Sequence, residues 1–292
     1  MRIGILGSRT GWHVEALLKA FGRLGIPADC FSITRFVARI AHRPCVRIED
    51  HILENYDAII VRSIPMGSLE QIIFRVDVLH RLEDLGVRVV NSARAIERTV
   101  DKYYTSALLE DAGIPTPRTV VTERFDDAMA AFREMGDVVV KPLFGSEGRG
   151  MVRVSDEDAA YRVFKALELG RSIFYLQEFI PHAHWDIRVF IVGNRVIAAM
   201  VRRAEGWKTN VARGASVEPL ELSKELMEMS LKAAAVLEVD YVGVDILKAE
   251  SGGYYVTELN GIPGWKGLQT VTDVNIAEKI AEHVVGLVSG GR

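Results

Sequence analysis

The segment DYVGVDILKAESGGYYVTELNGIPG, residues 240–264, constrains the fold more than any other stretch. Two β-branched and aromatic runs flank a Ser-Gly-Gly turn, the pattern of a β-hairpin. With a loop of two residues (Ser251-Gly252) or four (Glu250–Gly253), Asp245 faces Glu258 across the pair. Their Cβ atoms then lie about 4.5–5.5 Å apart on one face. Asn260, two residues on, points the same way because the strand period is two. A three-residue loop would shift that parity. Facing carboxylates in an apolar sheet repel, and their desolvation must be offset by a cation. Three oxygen-bearing side chains on a rigid face suit a hard ion such as Mg²⁺ or Mn²⁺, with water and phosphate completing its shell. The plainer alternative is a solvated face with ordinary surface carboxylates.

A second segment complements it. In DVVVKPLFGSEGRGM, residues 137–151, a strand run ends at Lys141 and turns into Gly145, Ser146, Gly148 and Gly150. Such a loop lets backbone N–H groups approach phosphate closely. The GxxxxGK[ST] phosphate loop carries its lysine after the glycines, and no such string occurs here. The lysine comes first, which points to a different grip. One segment supplies a cation for the phosphates; the other supplies N–H donors and a fixed positive charge. A nucleotide triphosphate held between two lobes is the economical joint reading.

The rest of the chain sets bounds. Its 292 residues allow about two domains at roughly 150 residues each. A net charge of −3 offers no bulk attraction for nucleic acid or an anionic membrane. Cys30 and Cys45 form no CxxC pair, so no structural zinc is expected and a reducing compartment is the default. The apolar start MRIGILG is too short for a signal sequence. No apolar run approaches the roughly 18 residues of a membrane span. A cytoplasmic protein is expected.

Residues 1–95 alternate strand and helix signals and predict a small parallel α/β domain. Gly4, Gly7 and Gly11 do not make GxGxxG and read as tight strand–helix turns. A helix is predicted from Ala95 to about Gly113, stopped by glycine and IPTP. An α+β unit follows to residue 176, with strands RTVVT, DVVVKPL and MVRVS and helices at residues 126–135 and 156–169. IFYLQEFI (173–180) leads into residues 177–292, which hold WDIRVFIVG, RVIAAMVRRA and the acidic hairpin as strands, and helices at residues 224–237 and 275–288.

The ordered set of Lys102, VVVKP with Lys141, the glycine loop, LQEFI, GVDIL and TELN resembles the ATP-grasp superfamily. Within it, QEFIPHAHWDIRVFIVGNRVIAAMVRRAEGWKTNVARGA is similar to the RimK-type glutamate ligases. The resemblance covers residues 95–270, and the first 95 only in architecture. It implies an ATP-grasp fold: a pre-ATP-grasp α/β domain (1–95), a central lobe with the glycine loop (96–176), and a C-terminal lobe with the metal site (177–292). It implies that Lys102 and Lys141 contact the phosphates and that Gln177, Glu178, Phe179 and Ile180 receive adenine through main-chain atoms. Asp186 would meet the ribose hydroxyls. Lys208, Thr209 and Asn210 would flank phosphates and substrate, and Asp245, Glu258 and Asn260 would hold Mg²⁺. Arg188, Arg203, Asn210 and Arg213 would bind substrate. Of the adjacent Arg202 and Arg203 only one can face the site, and the resemblance selects Arg203, leaving Arg202 solvated.

Each position has a plainer reading. Lys102 and Lys141 could be solvated ends, Glu178 an edge-strand charge, and Trp185, Trp207 and Trp265 packing residues. The seven histidines show no ligand spacing. The implied chemistry is ATP-driven amide formation through an acyl phosphate, with Lys141, Arg188 and Arg203 catalytic. Glutamate would be added to a carboxylate of a cofactor or protein. TNVARGA stands where the ribosomal-protein-modifying type reads nearer SNLHRGG, which makes a pterin of the tetrahydromethanopterin type competitive as acceptor. The rivals are a dipeptide ligase of D-alanine type and a non-catalytic nucleotide-binding regulatory module. By analogy with related ligases, a dimer or tetramer is expected.

Overall fold

The computed structural model describes residues 1–145, 148–211 and 214–290. The N-terminal part is a parallel sheet of Ile3–Leu6, Ala28–Phe31, Ala58–Val61 and Arg88–Val90. Ile3–Leu6 lies inside, between the second and third of these strands. It and Ala58–Val61 are buried at every residue. A parallel sheet covered on both faces requires that, which is why IGIL and AIIV do not alternate. Helices Trp12–Arg23 and Leu69–Asp84 form crossovers, the second started by a Ser68–Gln71 capping box. An additional antiparallel sheet of Val37–Ala38, Val46–Ile48 and His51–Ile52 has strands too short to leave a sequence signal.

The helix expected from Ala95 to about Gly113 is two helices, Ala93–Val100 and Lys102–Asp111. Asp101 breaks it: its backbone is extended (ψ 99°) and its side chain accepts from the Tyr104 N–H at 3.0 Å. That cap satisfies a free donor at the second helix and competes with continuation of the first. Lys102 thereby opens a helix. Ala95, Leu109 and Ile114 pack in the core of the C-terminal sheet.

The middle sheet runs Val152–Val154, Val138–Lys141, Phe174–Glu178, Thr119–Thr122 in space, with antiparallel neighbours throughout. Helices Phe125–Met135 and Glu157–Leu169 close its core over Phe132, Phe164, Phe174 and Leu176. Phe174–Glu178 lies between two strands, so Glu178 is not an edge-strand charge. It pairs with Arg118 through two hydrogen bonds of 3.0 and 3.1 Å.

The C-terminal sheet runs Ser216–Pro219, Arg195–Arg203, Trp185–Val192, Tyr241–Lys248, Tyr254–Asn260, all antiparallel. Ile187, Val189 and Ile191 share a core with helix Lys224–Leu237. Phe190 and Val192, on the other face, pack with helix Ile276–Gly290 and with Ile3, Ile5, Leu17 and Phe21. The two ends of the chain therefore share one apolar core. No described helix is long and apolar enough to cross a membrane.

Candidate active site

The acidic hairpin forms, but its register has an unexpected origin. Lys248 pairs with Tyr254, and the Ala249 N–H donates to the Gly253 carbonyl at 3.1 Å. The loop is thus three residues, neither two nor four, and that parity would set Asp245 opposite Thr257. A β-bulge between Asp245 and Ile246 absorbs Thr257 and restores the Asp245–Glu258 pairing. The Thr257 hydroxyl donates to the Asp245 carbonyl at 3.3 Å. Gly243 pairs with Asn260, whose Oδ1 accepts from the Ile262 N–H at 3.0 Å and is oriented by it.

Asp245 is 4% exposed. Arg188 donates to both its oxygens, from Nε at 2.7 Å and Nη2 at 2.6 Å. Arg202 Nη2 lies 3.0 Å from Oδ2. Burial would raise the Asp245 pKa, but the two guanidiniums hold it below the usual carboxylate range. The expected choice between neighbouring arginines is reversed. Arg202 is 2% exposed and bridges Asp245 to Asp186, whereas Arg203 is exposed and pairs with Glu218 at 3.3 Å. The reason is strand phase: Arg202 lies opposite Asp186, while Arg203 lies opposite Trp185. Asp186 was expected at the ribose. Its oxygens are instead taken by Arg202 (Oδ1 at 2.6 Å) and the Thr209 hydroxyl (Oδ2 at 2.6 Å). A buried acid without such partners would cost several kcal/mol.

The lysines face these carboxylates. Burial pushes the Lys141 ammonium down to about 8, against the attraction of Glu258 and, more weakly, of Asp245. Burial lowers Lys102 as well, opposed by Glu258 and Asp101. Lys141 Nζ donates to Gln177 Oε1 at 2.5 Å. Lys102 Nζ donates to the carbonyls of Leu143 (3.2 Å) and Gly145 (2.9 Å), and Lys208 Nζ to that of Met151 (2.6 Å). Both ends of the glycine loop are thus held by lysines. Gly148 and Gly150 adopt φ of 65° and 73°; a Cβ on Gly150 would also lie 2.9 Å from Pro142 Cγ. Ser146 and Arg213 lie outside the described residues, and Asn210 is half-buried beside Thr209.

The segment Gln177–Ile180 is buried except for the half-buried Glu178. The N–H groups of Glu178 and Phe179 already donate to the carbonyls of Arg118 (2.8 Å) and Asp137 (2.9 Å). These two donors are spent within the lobe, so an adenine edge would have to be read by other main-chain atoms of the segment. Trp207, given no role from sequence, meets Phe179 edge-on at 6.2 Å. The ring nitrogens of His182 lie 2.8 Å from the Ile180 carbonyl and 3.1 Å from that of Trp207. No local sequence signal marks these two residues, because their partners are set by the fold.

Two carboxylates and an amide are the hard-oxygen donors that suit Mg²⁺ or Mn²⁺, but both oxygens of Asp245 are held by Arg188 and Arg202, so a metal there would have to displace a guanidinium from one of them. Among the described residues, no group of three or more His, Cys, Asp or Glu side chains is placed to hold a metal, so Asn260 is needed as the third ligand. Two surface clefts, one beside Tyr56 and Arg88 and one beside Gly113 and Lys224, share no residue with this site.

Known proteins resemble the chain along its whole length. The RimK-like ATP-grasp domain family matches residues 99–284, and the RimK PreATP-grasp domain family residues 1–96. The chain is 34% identical to a tetrahydromethanopterin:alpha-L-glutamate ligase of Methanocaldococcus jannaschii, covering 99% of each. It is 34% identical to a probable alpha-L-glutamate ligase of Vibrio vulnificus, covering 97% of this chain and 95% of that protein. Among solved structures, the ATP-grasp ligase PsnB complexed with minimal precursor, Mg and ADP superimposes with a TM-score of 0.76 at 22% identity, over 98% of each chain.

Proposed function

This chain belongs to the RimK-like ATP-grasp ligases, and from that premise we propose that it joins the amino group of glutamate to a carboxylate on a pterin cofactor of the tetrahydromethanopterin type. The observation that carries this reading is the charged cleft. Burial lowers both Lys102 and Lys141, and the charge of Glu258 opposes the shift at each, joined at Lys141 by Asp245, so the lysines and the acidic hairpin act on one another.

In this reading Asp245, Glu258 and Asn260 would hold Mg²⁺ or Mn²⁺, which neutralises phosphate charge when bound. Lys102 and Lys141 bind the phosphates of ATP, with backbone N–H groups of the loop that holds Gly145 and Gly148, and with Lys208, as further donors; Ser146 of the same loop is assigned to this role from sequence alone. Phe179 and Ile180 form the apolar wall for adenine, with Gln177 orienting Lys141 beside it, and Asp186 supports the site through Arg202 and Thr209. The acceptor carboxylate attacks the γ-phosphorus and ADP leaves; the glutamate amine then attacks the acyl carbon and phosphate leaves. Arg188 and Arg202 stabilise the charge that develops, with Asn210 and Arg213 completing the amino-acid site. No covalent nucleophile is required, because alignment and charge neutralisation supply the acceleration. The enzyme works in the cytoplasm as a dimer or tetramer, and the domains of each chain divide near residues 95 and 176.

The test is ADP release from Mg-ATP over a panel of amino acids, with tetrahydromethanopterin as acceptor. Glutamate-dependent release supports the proposal. Release with neutral amino acids but not glutamate would favour a ligase of D-alanine type. An ATP-dependent thermal shift without any release would leave a nucleotide-binding module.

A further inference from the structure

The N-terminal sheet carries a second constellation that the ligase chemistry leaves unused. Ile3–Leu6 has Ala28–Phe31 on one side and Ala58–Val61 on the other. The connections from this point run in opposite directions, the arrangement that in open α/β sheets places a ligand crevice beyond the carboxyl ends of strands such as Ile3–Leu6 and Ala58–Val61. Ser8, Arg9 and Thr10 line it and are exposed. Trp12 is 36% exposed.

At its floor lies Arg62, 9% exposed. Nη1 donates to the Tyr241 hydroxyl at 3.2 Å and Nη2 to the Pro263 carbonyl at 2.7 Å, while Nε has no partner. Among the described residues no carboxylate pairs with it. A guanidinium stays charged at any working pH, and a buried charge without a counter-ion is costly. The donors of Arg62 are occupied or shielded, so what it offers a ligand is an uncompensated positive charge that favours an anion nearby. Arg62 stacks over Trp265 at 4.7 Å, and the Trp265 indole N–H is also unpartnered. Trp12 meets His13 and Trp265 edge-on, at 5.1 and 6.3 Å. The His13 ring accepts from the backbone N–H of Trp265 at 2.9 Å. These contacts hold the partly exposed indole in place, a preorganised surface for another ring. Lys266, the next residue, is exposed and adds positive charge beside His13.

The position matters as much as the composition. The turn Gly261–Trp265 continues directly from Asn260. The crevice and the acidic hairpin therefore share a wall.

We propose that this crevice is the acceptor site: Trp12 stacks a planar heteroaromatic ring, and Arg62, Arg9 and Lys266 draw its anionic tail past Pro263 toward the phosphate cleft. The inference rests on the ligase reading and adds to it the binding site of the acceptor.

The experiment uses the full-length enzyme, Trp12→Leu and Lys266→Gln. Two acceptors are compared: tetrahydromethanopterin, and a glutamate-terminated peptide without an aromatic ring. Trp12→Leu should raise the KM for the pterin about tenfold and leave the peptide KM within twofold. Lys266→Gln should raise both about threefold. A thermal shift with Mg-ATP, retained in both variants, shows that they fold. Titration with the pterin should quench tryptophan fluorescence in the wild type and much less in Trp12→Leu, whether or not turnover follows. Pterin KM values within twofold of wild type in both variants, or quenching that survives Trp12→Leu, overturn the inference. Glutamate-dependent ADP release with the peptide but neither release nor quenching with the pterin would keep glutamate ligation and remove both the pterin acceptor and this site.

Discussion

The middle lobe and the body made by the two ends of the chain are built on different plans. The middle lobe closes a core of its own around Phe132, Phe164 and Phe174. It meets the rest of the site through polar tips, Lys102 on Leu143 and Gly145 and Lys208 on Met151. The N-terminal sheet and C-terminal lobe instead share one core, from Ile3 and Phe21 to Trp265 and Ile280. Buried clamps reinforce that junction. Asn91 donates to the carbonyls of Tyr241 (2.8 Å) and Gly261 (2.6 Å) and accepts from the N–H groups of Asp240 (2.6 Å) and Tyr241 (3.0 Å). The fused body fixes the acidic hairpin, while the lobe carrying the glycine loop hangs on bonds that phosphate can replace. A ligase that shields an acyl phosphate from water needs both a rigid floor and a closing lid.

The largest expected effect falls on the floor. Asp245→Asn should lower the rate of ADP release at least 10²–10³-fold. It also removes a charge that Arg188 and Arg202 share, costing about 3–5 kcal/mol in urea unfolding. A variant with near wild-type turnover would dissociate the hairpin from catalysis. Phe164→Ala then sharpens the contrast, because it opens a cavity costing about 3–5 kcal/mol in the lobe that has its own core. Hydrogen exchange should accelerate within residues 119–178 only; acceleration reaching Ile3–Leu6 would show one cooperative body instead of two.

The junction should weaken in acid. Burial first, then Arg62 and Lys266, push His13 down to about 4 from 6.5. Above pH 6.5 the ring is neutral in both states and nothing is lost. As the pH falls from 6.5 toward 4 the unfolded chain takes up the proton first, so stability declines by roughly 2–3 kcal/mol. His13→Gln should flatten that slope in denaturant titrations at pH 7 and 4.5. The smallest effect belongs to Gly261→Ala, whose new Cβ would lie 2.4 Å from Thr99 Oγ1. Overpacking of this kind costs about 1–3 kcal/mol, and a displaced Asn260 should raise the Mg²⁺ concentration needed for half-maximal turnover. An unchanged Mg²⁺ requirement would separate this contact from the metal site.

What was legible in the sequence was local. The Lys141–glycine loop and the two acidic strands stand in contiguous runs, and helix Lys224–Leu237 is bounded by its own cap, Ser223. Asp245 opposite Glu258 was right in outcome and wrong in reason, because a bulge compensates an odd loop. Arg202 was assigned to solvent because two adjacent arginines look alike until the strand's phase is known. The buried Asp186 across the sheet sets that phase, and no spacing rule reveals it. The spent N–H groups of Glu178 and Phe179 follow from sheet pairing and a contact to Asp137. The clamps by Asn91 and Arg62 join residues far apart in the chain and left no pattern to read.

The most direct test of the clasp is hydrogen exchange by mass spectrometry with and without Mg²⁺ and a non-hydrolysable ATP analogue. Protection should appear at residues 138–154, at 207–211 and along Tyr254–Asn260, with little change in the strands Ile3–Leu6 and Ala58–Val61. Protection absent from both the glycine loop and the acidic hairpin, at nucleotide concentrations that stabilise the protein, would contradict the account.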